Sequence, residues 1–165
     1  MNFFLGRIIP LHALFYKKRK PWNLRTEDLI QYPAGSLGNK LGNFLRDEQL
    51  QPIPRIERHD AFHLLFDFTT QIQDEVAIQY FLIGNGKISP FPIITSIFAA
   101  LILPEWWDYF IQQFRKGMKA RNIANWNFKE LLHDDFNDLK KIVNHQPVHN
   151  EALLRKLAEF DAAAH

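Results

Sequence analysis

At 165 residues, 47% hydrophobic and 23% charged, the chain has the composition of one folded domain with a real core, not of a disordered or fibrous protein. It contains no cysteine, which excludes disulfides, thiolate zinc sites, iron–sulfur clusters and cysteine nucleophiles together. A net charge of +2 without a long basic tract argues against a nucleic-acid partner.

The chain opens with "MNFFLGRIIPLHALFYKKRKPW". Its apolar part precedes the basic cluster Lys17-Lys18-Arg19-Lys20, the reverse of a secretory signal, and no small-residue cleavage site follows. Residues 1–21 therefore read as an apolar and basic segment of their own, with the helical domain over 22–165. The segment is either a terminal helix packed on the core, interrupted by Pro10, or a surface anchor whose basic residues meet lipid headgroups.

Helices with short breaks follow, and no period-two alternation calls for strands. Thr26 begins a short helix that Pro33 ends. Gly35-Ser36 caps the next, "LGNKLGNFLRDE", where Leu37, Leu41, Phe44 and Leu45 share a face. "QPIP" is a loop. After it comes "RHDAFHLLFDFTTQIQDEVAIQYF", an apolar run that carries His59, Asp60, His63 and a lone Glu75.

Imidazoles and carboxylates are costly to bury unless something satisfies them. His59 and His63 are four apart, so on a helix they are offset by about 40° and both rings can reach one ion. Asp60 sits where it can orient a ring or a bound water. On one unbroken helix Glu75 would lie about 120° away from His63. Asp67-Phe68-Thr69-Thr70 offers a break, however, and Thr70 to Gln73 has capping-box spacing. A second helix starting there folds back and turns Glu75 toward the two histidines. Two histidines and one carboxylate leave positions open for water or substrate, which is the arrangement of catalytic metal sites. The plainer alternative is a solvated histidine pair with a first-turn Glu favoured by the helix dipole. Phe62, Leu64, Leu65, Phe66, Val76 and Ile78 favour the first reading, because they imply dry surroundings.

Gly84-Asn85-Gly86 stops that helix, and Ser89-Pro90-Phe91-Pro92 starts the most apolar one. Its uncharged run, Ile88 to Pro104, is shorter than the roughly 20 residues that span a bilayer. It reads as a buried helix or a lipid-facing groove wall. Pro104 is placed as the first residue of the next helix, where Trp106, Trp107, Phe110, Ile111, Phe114 and Met118 recur at helical spacing. The two tryptophans suit a membrane-interface belt or a stacking wall for a ring, or else one core position and one partly exposed. Asn127 caps "FKELLHDDFNDLKKIV", with Phe128, Leu131, Leu132, Phe136 and Leu139 inward. His133-Asp134 there reads as a solvated edge, and His12, His145 and His149 lack useful carboxylate partners. A last helix covers about residues 150–160. The fold class is all-α: one compact domain of about seven helices with a hydrophobic groove. Aromatic residues at 14%, more than a small core requires, point to a lipid or a partner.

The motif His59-Asp60-Ala61-Phe62-His63, eleven residues, then Glu75 resembles the hallmark of the coenzyme Q biosynthesis family four proteins. Pro33, Gly35, Ser36, Leu37 and Gly38 match a second segment of that family, and Thr69 or Thr70 fits a third position. The resemblance covers Trp22 to about Val143. The chain departs from the pattern at Asp74, where the family has Gly, and at Gln79 and Leu82, which marks a divergent branch. The resemblance implies an α-helical domain with a divalent metal, zinc foremost, held by His59, Asp60, His63 and Glu75 as the metal and catalytic set. It implies ubiquinone synthesis at a membrane surface, a polyprenyl lipid or quinone precursor as ligand, and oxidative decarboxylation of the head-group precursor. Other quinone-biosynthesis proteins are the implied partners, a homodimer is allowed, and the place is cytoplasmic and peripheral on the membrane. A non-catalytic prenyl-lipid scaffold for biosynthetic enzymes is the first rival. A metal-dependent hydrolase is the second, weakened because Asp60 is one methylene shorter than the usual Glu base.

Overall fold

The computed structural model describes residues 20–86 and 90–163; the expectations for the N-terminal segment before Lys20 lie outside them. Eight α-helices run in order: α1 (Thr26–Ile30), α2 (Leu37–Asp47), α3 (Glu57–Phe66), α4 (Ile72–Gly84), α5 (Pro90–Ile102), α6 (Trp107–Lys119), α7 (Phe136–Val143) and α8 (Glu151–Ala162). Two 3₁₀ turns, Pro104–Trp106 and Glu130–His133, precede α6 and α7. Among the described residues the sole β-type pairing is one bridge between Ser36 and Asp135. The all-α expectation is met.

Periodicity explains the core. Leu37, Leu41 and Leu45 of α2 are buried against Leu29, Phe62, Leu65, Ile78, Leu82, Leu131 and Leu132. Ser36 caps α2, its hydroxyl accepting from the Asn39 amide at 3.2 Å. Phe44 packs against this core from its edge. It is half-buried and stacks on the His63 ring, with centroids 5.9 Å apart.

Helices α4 and α6 touch backbone to backbone. A Cβ on Gly84 would lie 2.1 Å from the Phe114 carbonyl oxygen, and one on Gly117 would lie 2.1 Å from that of Phe81. Only glycine fits either place. Gly84 thus serves packing rather than chain termination, and Gly86, at φ +90°, makes the left-handed stop. Between them the buried Asn85 side chain donates to the carbonyls of Gly117, Ala120 and Arg121 and accepts from the Ile123 amide.

Three expectations need correction. The helix over 128–143 is split: a 3₁₀ turn ends at His133, and Asp135 caps a fresh helix by accepting from the Asp138 amide. Phe128, Leu131, Leu132, Phe136 and Leu139 are nevertheless all buried. The helix expected from Pro104 begins at Trp107, after the 3₁₀ turn. Its inner face is Phe110, Gln113 and Gly117, whereas Trp106, Trp107 and Met118 are exposed. Phe110 of that row is buried, Ile111 and Phe114 are half-buried, and the close approach of α4 at Gly117 fixes this rotation. Of the two alternatives for the apolar helix α5, the buried one also fails, which leaves the groove wall standing. Ile94, Ile97, Phe98 and Leu101, spaced i, i+3, i+4 and i+7, are 59–76% exposed. Its Ser96 faces inward, its backbone carbonyl accepting from the Tyr80 hydroxyl at 3.0 Å.

Candidate metal centre

The break between α3 and α4 builds the site. Asp67 ends α3 in the left-handed conformation, φ 57° and ψ 41°, and the Phe68 amide donates to the His63 carbonyl. The chain then turns, and the start of α4 brings Glu75 to the two histidines. The capping box expected at Thr70 and Gln73 is replaced by a different one. Asp74, in the first turn of α4, reaches back and accepts from the Thr69 amide at 2.7 Å and the Thr69 hydroxyl at 2.6 Å. Asp carries this reach and Gln does not, because a carboxylate at a helix N-terminus also answers the helix dipole.

His59, His63 and Glu75 converge as expected. Glu75 Oε2 is 3.4 Å from His59 Nε2, and Glu75 Oε1 is 3.3 Å from His63 Nε2. The two rings are 5.0 Å apart and nearly perpendicular. One ligand atom from each residue can be chosen so that all three lie within 4.8 Å of one another. Ligands about 2.0–2.1 Å from a tetrahedral ion are about 3.3 Å apart, the separation seen from Glu75 to each ring. The donor set fits a divalent ion after a small closure between the histidines.

The neighbours prepare the ligands. His63 Nδ1 lies 3.0 Å from the Thr69 carbonyl oxygen and 3.3 Å from that of Phe68. Carbonyls only accept, so Nδ1 carries a proton, while Nε2 faces Glu75 Oε1 and offers its lone pair to an ion only once its own proton is lost. Burial works to lower the His63 pKa, but the hydrogen bond and charge of Glu75 and the charge of Asp60 outweigh it, leaving it raised. Asp60 stands beside the trio rather than in it. Its Oδ1 is 4.0 Å from His59 Nδ1, too far for a hydrogen bond. Burial, with Glu75 and Glu57 adding to it against the pull of His63, pushes its carboxyl up to about 7. His133, the other histidine beside an aspartate, is exposed and stacks near Tyr32, while Asp134 accepts from Lys156 at 2.6 Å.

Sequence reasoning missed Asp74 and Tyr109. The Tyr109 hydroxyl, from α6, donates to Asp74 Oδ1 at 2.6 Å. Asp74 stood out only as a departure from the family pattern, with no role attached, and Tyr109 carried no local signal, since its partner lies 35 residues away. An open depression of about 600 Å³ between α7 and the loop into α8, lined by Asp138, Lys141, His149 and Glu151 among others, lies elsewhere.

Comparisons with known proteins bear on the family and the fold. Residues 20–149 match the family model described as coenzyme Q (ubiquinone) biosynthesis protein Coq4. No curated protein matches the chain. A crystal structure from Nostoc punctiforme of a protein assigned to ubiquinone biosynthesis is similar, with a TM-score of 0.58 and 19% identity over 85% of this chain and 77% of that one. At that identity the likeness speaks to the fold alone. The family match spans most of the chain, including both histidines, Glu75 and the helices that carry them, and on that ground the chain belongs to the Coq4 family of ubiquinone biosynthesis proteins.

Proposed function

We propose that the chain acts in isoprenoid-quinone biosynthesis by holding a divalent metal, zinc foremost, on His59, His63 and Glu75, and by presenting it to the head group of a polyprenyl quinone precursor. The observation that carries this reading is the meeting of the three side chains from two helices, with the His63 tautomer set for ligation. A bound ion supplies Lewis acidity toward a ring hydroxyl or carboxylate. Asp60, with its carboxyl at about 7, holds or releases a proton beside that point near neutral pH. Oxidative decarboxylation of the head group is the reaction this reading assigns: the ring carboxylate would leave as carbon dioxide, with dioxygen as the oxidant, one of its atoms entering the ring as a quinone oxygen and the other leaving as water.

The exposed stripe of α5, with Trp106 and Trp107 beyond its end, supplies the apolar surface for the polyprenyl tail and for contact with a bilayer. No helix among the described residues is long and apolar enough to cross a membrane, so the contact is peripheral in this reading. The same open stripe favours a second reading, a non-catalytic lipid-binding scaffold that gathers biosynthetic enzymes.

Metal analysis of purified protein, mass spectrometry of its extracted lipid and a turnover assay with a carboxylated polyprenyl precursor test both. One ion per chain, a co-purifying prenyl lipid and product formation support the enzyme. Metal and lipid without turnover support the scaffold. Protein that takes up no divalent ion overturns the metal reading.

A further inference from the structure

Asp74 sits at the meeting point of three elements, next to a proposed ligand that it does not itself join. Its Oδ2 accepts from the Thr69 amide and hydroxyl, and its Oδ1 accepts from the Tyr109 hydroxyl of α6. The residue is buried, so its charge is not left to water. Thr69 passes the constraint on. Its hydroxyl also accepts from the Gln71 amide at 3.3 Å, and its carbonyl accepts from His63 Nδ1. Every donor in this chain of contacts has an acceptor, and the direction of each bond is fixed: Tyr109 and Thr69 donate to a carboxylate, and His63 donates to a carbonyl.

We infer that Asp74, acting through Thr69 and braced by Tyr109, is the positioning residue that sets the His63 tautomer and the approach of Glu75 to it. The inference rests on the metal reading above only for its consequence in affinity. Its geometric content concerns His63 and holds for the metal-free protein. Asp74 precedes Glu75 in the chain, so the bond that pins the Thr69 carbonyl against His63 also pins the first turn of α4. Without the carboxylate the Thr69 amide and hydroxyl lose their shared charged acceptor, and an Asn there turns an NH2 donor toward either Thr69 or Tyr109. His63 then loses the carbonyl that orders its ring, and Glu75 loses its fixed start. Outer partners that orient a ligating imidazole are worth about 10–100-fold in metal affinity.

The test compares wild type with D74N, Y109F, T69V and T69S. The first readout is the ring ¹⁵N spectrum of His63 in metal-free protein with the ring neutral. Wild type and T69S are expected to show the Nδ1–H tautomer, and D74N and T69V a mixture, with Y109F between. The second readout is zinc affinity by competition with a chelator, together with the visible spectrum of the cobalt-loaded protein. D74N and T69V are expected to weaken binding about 10–100-fold and to change the cobalt bands, and T69S to restore both. Should D74N fail to fold, T69V against T69S carries the comparison. If His63 keeps one tautomer and the same affinity in folded D74N and T69V, the inference is wrong. If wild type binds neither zinc nor cobalt, the metal reading fails, while the ¹⁵N spectra still decide the positioning.

Discussion

Glu75 Oε1 lies 3.3 Å from His63 Nε2, across a helix break that separates the two residues by twelve positions. The distance is right for a hydrogen bond or for two neighbouring ligands of one ion.

Metal occupancy should depend on all three converging side chains. Purified wild type is expected to carry about one divalent ion per chain, and His59→Ala, His63→Ala and Glu75→Ala each to lose most of it, on the 3-ligand logic of open metal sites. Elemental analysis after gel filtration reads this directly. Asp60→Asn should keep the ion, because Asp60 stands outside the trio. A Glu75→Ala protein that retains full occupancy would sink the assignment.

The metal-free protein should lose His63-dependent stability as pH rises. The His63 pKa is raised above the ordinary 6.5, because Glu75 and Asp60 outweigh burial. Its contribution is therefore complete below about pH 6.5 and fades as pH climbs through the folded value. Thermal melts in chelator, wild type against His63→Gln, should differ more at about pH 6 than at about pH 9. Equal gaps at both would refute the pairing with Glu75.

Asp60 gives the complementary sign. Its carboxyl is pushed from 3.8 up to about 7, chiefly by burial, so the folded state prefers it neutral. Ionisation above that value costs stability. Asp60→Asn should therefore stabilise the metal-free protein at pH 8 by on the order of 2 kcal/mol, and leave it unchanged near pH 4. Urea titrations at the two pH values check this. No gain at pH 8 would mean that Asp60 stays ionised at no cost.

Gly117→Ala is expected to cost at least about 3 kcal/mol or to prevent folding, because the added Cβ meets a backbone carbonyl that has no rotamer to change. A melting temperature within a few degrees of wild type would show that α4 and α6 separate more readily than their contact implies.

On the apolar face, Ile97→Lys and Leu101→Lys should leave stability within about 0.5 kcal/mol, since both side chains are exposed. Both should reduce flotation with liposomes. Neutralising Lys17 to Lys20 tests the N-terminal segment separately, and salt should weaken whatever that segment contributes. Unchanged flotation in the α5 variants would move the membrane contact away from this helix.

Much of the site was legible because its information is local. The four-residue spacing of His59 and His63 and the turn residues Asp67 to Thr70 specify two helices and a turn. Glu75 then has one face on which to fall. The face of α6 was not legible. Six large apolar residues recur at helical spacing without telling which of them is innermost; Phe110 is buried while the tryptophans and Met118 are exposed, because the backbone contact at Gly117 decides the rotation, and a glycine gives no apolar signal. The split at Asp134-Asp135 was hidden in the same way, since Phe128 to Leu139 keeps its apolar spacing across the break. Tyr109 and Asp74 meet through tertiary packing alone.

The contacts between α4 and α6 advance together along both helices, from Asp74 with Tyr109 at one end to Gly84 and Asn85 with Phe114 and Gly117 at the other. The two helices therefore run in the same direction and are tied at both ends, like the rails of a ladder with a rung at each extremity. Such a frame resists shear. Just before α6, Trp106 packs 5.9 Å from Tyr109, whose hydroxyl holds the rung at Asp74. What α6 touches outside the protein is mechanically continuous with where Glu75 stands.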